Sequence, residues 1–149
     1  MRQKTAIAFM LVAALIPAFF AIIDVMSVQL APYQQLAAGM QWAEVPPKLQ
    51  DLFLTISHLS GINLIGFSMC LLVLILVPFR RGEGWADWAI LVVDVPVALA
   101  AAFVLYNAAS KTGAAFPWYG PLISLLLVIV GFLLSTNRRT WPVRNQPRA

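Results

Sequence analysis

Four long apolar runs, at 5–28, 52–79, 85–107 and 117–135, leave this chain almost no way to fold in water. A bilayer core of about 30 Å is crossed by about 20 apolar residues in an α-helix, and only helices or closed barrels satisfy their own backbone there. All four runs have the length of helical spans, well above the roughly 9–11 residues of a barrel strand. With 61% hydrophobic and only 11% charged residues, the 149-residue chain has no room for a separate soluble domain. The expected fold class is therefore all-α: a four-helix transmembrane bundle forming one domain over 1–136, followed by a basic cytoplasmic tail at 137–149.

The first run follows Arg2 and Lys4, as the apolar part of a signal peptide would. It is, however, longer than the about 7–15 residues of such a segment and bulky to its end, so a retained helix is expected. Between the first two runs, Leu30, Tyr33, Leu36, Ala37 and Met40 recur at spacings of three and four, which suits a short amphipathic helix on the outer (periplasmic) surface. The pair Pro46–Pro47 ends that segment.

Orientation follows from the basic residues. Arg2, Lys4, Arg80, Arg81, Arg138, Arg139, Arg144 and Arg148 fall on one side, against Lys48 and Lys111 on the other. The positive-inside rule places the former group, and with it both termini, in the cytoplasm. The same distribution accounts for the net charge of +4 without nucleic acid, since the basic residues sit at helix ends rather than in one patch.

Ionisable and amide side chains within spans are costly in hydrocarbon, which makes them the candidate functional residues. Asp24, His58, Asn63, Asp94 and Asn107 are of this kind. At about 1.5 Å per residue, Asp24 and Asn107 lie near the outer ends of their spans, His58 somewhat deeper, and Asn63 and Asp94 near mid-membrane. Depth alone permits two pairs, Asp24 with His58 and Asn63 with Asp94, as ligand-binding or proton-relay groups. His58 and Asn63 are about 140° apart around their helix, so two polar sites are expected rather than one compact cluster. Asp94 stands out because Pro96 follows it and leaves the Val92 carbonyl without its usual donor. Pro17 is a second kink candidate, and Ser57, Gly61 and Gly66 offer small positions for close helix packing.

One histidine and one cysteine, Cys70, do not supply a zinc site or an intramolecular disulfide, and the chain carries neither a phosphate-binding glycine loop nor a serine nucleophile motif. No metal, cofactor or catalytic residue is expected.

The span carrying Gly61-Ile62-Asn63-Leu64-Ile65-Gly66, the turn Pro78-Phe79-Arg80-Arg81-Gly82-Glu83-Gly84-Trp85-Ala86 and the start Pro117-Trp118-Tyr119 together resemble the small four-helix bacterial membrane proteins of the loosely DoxX-like group. The resemblance implies a four-helix bundle in a bacterial inner membrane. Some members are associated with quinone-linked oxidoreductases, but no site residue transfers from them.

Three functional classes fit these readings. The leading expectation is a non-enzymatic polytopic membrane protein that binds a membrane protein partner, as a small subunit of a larger complex or as a homo-oligomer. The alternatives are a binder of a lipid, quinone or other apolar small molecule within the bundle, and an oligomeric proton-coupled transporter with Asp94 as its embedded acid.

Overall fold

A computed structural model describes residues 2–136, and all regular structure among them is helical. The expected tail at 137–149 lies outside the described residues. Helix α1 spans Arg2–Val25, α2 Pro32–Ala38, α3 Pro47–Leu74, α4 Ala86–Thr112 and α5 Tyr119–Thr136, with a single 3₁₀ turn at Trp42–Glu44. By length and composition α1, α3 and α4 suffice to cross a membrane, whereas the apolar part of α5, Tyr119–Ser135, is shorter.

Several boundaries differ from those expected. α1 ends at Val25 rather than Val28, α3 begins at Pro47 with its first turn preset by that proline's fixed φ, and α4 continues past Asn107 to Thr112. It stops at Gly113, whose φ of 69° is a left-handed conformation that glycine adopts without strain. Beyond Leu74 the helix widens into a π turn at Ile75–Phe79, in which Arg80 N–H bonds Ile75 O at 3.1 Å. Pro78 has no N–H to offer Leu74 O, and the wider turn accommodates that gap before the chain reverses at Gly82.

Small residues decide the packing. On α1, Ala6, Met10, Ala13, Ala14 and Ala21 are all fully buried, a stripe at helical spacing that lets two neighbours approach. α1 lies between α3 and α5; α4 packs on the other side of α5 and touches α3 more lightly. Gly61 meets α1 so closely that an added Cβ would stand 2.7 Å from Val25 Cγ2 and 2.8 Å from Ala21 O. Gly66 faces open space and is not the packing position expected of it.

The two ends of the molecule differ. Where α1 begins and α3 ends, Ala6, Met10, Leu71, Ile75, Phe79 and Ile90 belong to one closed core. There the Gln3 amide donates to Arg80 O at 3.1 Å, and Ser135 Oγ lies 2.8 Å from Asp87 Oδ1 in a buried bond between α4 and α5. Ser135→Ala should cost about 1.5–3 kcal/mol in a thermal or denaturant melt, the net worth of a hydrogen bond to a charged group; an unchanged melt would mean that the contact contributes nothing. At the other end, glutamines knit the connection from α1 to α3. Gln34 Oε1 accepts from Ala31 N–H at 2.8 Å, Gln35 Nε2 donates to Leu30 O at 2.7 Å, and Gln50 Nε2 donates to Trp42 O at 2.9 Å. This holds α2 over the helix ends, with Tyr33 edge-on to Phe116 at a ring separation of 5.0 Å.

Much of the outward surface is bulky and apolar: Phe19, Val92, Phe103, Leu126 and Leu133 are each more than half exposed. Exposed apolar area on this scale marks contact with lipid or protein rather than with water.

Candidate functional site

The light contact between α3 and α4 leaves a cavity of about 320 Å³ beneath α2. That is near the lower end of the range for small-molecule sites. α1 contributes Pro17, Phe20 and Asp24, α3 contributes Ser60, Leu64 and Phe67, and α5 contributes Pro121 and Ser124. The α4 wall runs at helical spacing through Asp94, Val97, Ala98, Ala101, Val104 and Leu105, and Tyr33 of α2 sits at the top.

Asp94 is 1% exposed, and its Oδ2 has no hydrogen-bond partner among the described residues. In an apolar wall this is an expensive arrangement, because the desolvated oxygen regains nothing from the protein. Asp24, on the last turn of α1, is half-buried and lines the same cavity. Lysine, arginine and histidine are absent from the residues that line it. The Ser124 hydroxyl is taken up by Ala13 O at 3.0 Å, so it holds α5 to α1 rather than serving the acid.

Tyr33 lies outside the spanning helices. Burial first, and then the Asp24 carboxylate, push its phenol above the usual tyrosine range, which keeps it a neutral donor at physiological pH. Removing the acid's charge lifts the smaller of the two causes. In a Tyr106→Phe, Tyr119→Phe background, Asp24→Asn should therefore bring the Tyr33 titration part of the way down. Ultraviolet absorbance across alkaline pH reads this directly, and an unmoved midpoint would place Asp24 away from the ring.

Neither pair permitted by depth forms. His58 Nε2 stands 3.0 Å from the backbone carbonyl of Ser27, an acceptor only, so that nitrogen carries the proton. The imidazole thus ties α3 to the chain leaving α1, while Ser27 Oγ donates to Asp24 O at 2.7 Å and no bond joins the Asp24 carboxylate to His58. Asn63 is exposed on α3, beside an open hollow between α3 and α4 that shares Ser60, Leu64, Phe67 and Val97 with the cavity but is not lined by Asp94. Asn107 satisfies itself within α4, donating to Phe103 O at 3.0 Å.

The acid that shares the cavity with Asp94 is therefore Asp24, a combination that sequence reasoning did not draw. In the sequence Tyr33 reads as part of an amphipathic surface, and Ser60, Ser124 and Asp87 carry no distinguishing signal, because a serine in a helix readily bonds its own backbone and Asp87 falls close to a span end. Among the described residues no group of three or more His, Cys, Asp or Glu is arranged to hold a metal ion. No family model, curated protein or solved structure matches the chain.

Proposed function

We propose that this chain is a four-span protein of a bacterial inner membrane, with both termini cytoplasmic, that holds a small molecule with an apolar body and a polar or charged group in the cavity beneath α2. Asp94 carries this reading: a buried carboxyl oxygen without a partner, on the wall of a cavity of ligand size, is an arrangement that a bound molecule would complete. The unequal distribution of basic residues supports the orientation, and the DoxX-like resemblance supports the location. α5 spans in this reading, since about 17 residues is the short end of what a helix needs.

Native mass spectrometry of the protein taken from its own membrane in mild detergent tests this. A small molecule retained by the wild type and lost from Ala101→Phe, which fills the cavity, is the expected result. A protein carrying no small molecule, but bound in fixed ratio to another chain, would overturn it.

A second reading, self-association, is favoured by Asn63. Its amide has no partner among the described residues and is exposed on α3, where the surroundings of a spanning helix are hydrocarbon. An amide is both donor and acceptor, so it pairs with its own copy across a twofold axis. Cys70 lies two helical turns further along the same face, is exposed, and is the chain's single cysteine. Mild oxidation in native membranes should then yield a Cys70-linked dimer, and Asn63→Leu should remove most of it. Monomer alone after oxidation of the wild type would eliminate this pairing.

A further inference from the structure

We infer that the molecule held in the cavity is an organic cation with an apolar body, for which Asp94 is the deep counter-ion and Asp24 the acid nearer the α2 end. This rests on the small-molecule reading above and adds the sign of the ligand's charge.

The wall holds two carboxyl groups and, among its lining residues, no basic side chain. Each acid takes its lining position from a different helix, Asp24 from the end of α1 and Asp94 from a third of the way along α4, so the negative charge is spread along the cavity. Fixed charge of one sign in a low-dielectric cleft attracts the opposite sign and rejects its own, which disfavours fatty acids and other anions. A neutral quinone or ketone would need donors along the wall. Those present are the hydroxyls of Tyr33, Ser60 and Ser124, and that of Ser124 is already committed to Ala13 O. A cation needs none of them: Oδ2 of Asp94 is an acceptor with nothing to accept from. The remaining surface suits a positive group on an apolar frame, since Phe20, Phe67 and Tyr33 place aromatic rings in the lining and the aliphatic stretch from Val97 to Leu105 accommodates the chain.

Three probes with one eight-carbon body separate the alternatives: octyltrimethylammonium, neutral N,N-dimethyloctanamide and octanoate. Their binding to the full chain in lipid nanodiscs is measured by equilibrium dialysis, with Ala101→Phe supplying the background from partition into lipid. The ammonium should bind saturably, Asp94→Asn should weaken it roughly tenfold or more, and Asp24→Asn should weaken it less, because that acid is partly solvated. Octanoate should stay at background. Saturable binding of the amide that equals or exceeds that of the ammonium would overturn the cation and leave the small-molecule reading standing, since a protonated Asp94 would then be donating to a neutral acceptor. No saturable probe, together with no molecule retained in native mass spectrometry, removes both. If a molecule is retained but no probe binds, its own charge decides, and a neutral or acidic species overturns the inference. Should Asp94→Asn fold poorly, Asp94→Glu replaces it and is expected to keep ammonium binding above background; loss there in a folded protein counts against the inference.

Discussion

Asp94→Leu is expected to raise the melting temperature of the protein while abolishing its hold on the cavity ligand. The usual cost of changing a buried residue comes from a lost contact or a new cavity, but here Oδ2 makes no hydrogen bond to lose. Leucine is close in size, apolar like the neighbouring Val97 and Ala98, and carries no group to desolvate. The gain should be about 1–3 kcal/mol, the penalty of an unsatisfied buried polar atom. Thermal unfolding of both proteins in one detergent, followed by the soluble fraction remaining, reads the sign. Destabilisation by a similar amount would make the carboxyl a structural group and leave the cavity without its anchor. The combination matters more than either half, because a residue that weakens the fold and strengthens binding is retained for binding.

Gly61→Leu should prevent the accumulation of folded protein altogether. Even the first added carbon stands 2.7 Å from Val25 Cγ2, 2.8 Å from Ala21 O and 3.0 Å from Asp24 Cβ. The Ala21 oxygen belongs to helix backbone and yields only if α1 and α3 move apart. Gly61→Ala alone should cost about 1–3 kcal/mol through this overpacking. Gly66 is an internal control on the same helix: nothing lies within 4 Å of its added carbon, so Gly66→Leu should fold and melt within about 0.5 kcal/mol of the parent. Yield and monodispersity after gel filtration in detergent distinguish the pair. Equal behaviour of the two leucine variants would mean that α1 does not pack on α3 through Gly61.

The helices, their order and the short segment over the α1 end were readable because the period and length of an apolar run are local properties. The site was readable in one coordinate only. Counting residues along a span gives a position along the helix, which separates Asp94 from Asp24, but it says nothing of which way a side chain faces. That angle depends on which helices are neighbours, and α1 chose α3 and α5 through alanines and a glycine that carry no polar signal. His58 and Asn63 illustrate the consequence: the first turned to a backbone carbonyl beyond the end of α1, the second away from the interior. The π turn was equally hidden, since Pro78 near a helix end reads as a stop signal and continued here as a wider coil.

The packing of α1 against α5 also sets an order of events during synthesis. The bond from Ser124 Oγ to Ala13 O joins residues 111 positions apart, so the alanine stripe of α1 has only α3 to rest on until the last helix is made. Until that moment the cavity has no α5 wall, and Asp94 stands in a helix that lacks its main neighbour. A chain that stalls before Tyr119 presents both an unsheltered acid and an uncovered strip of small residues to the bilayer.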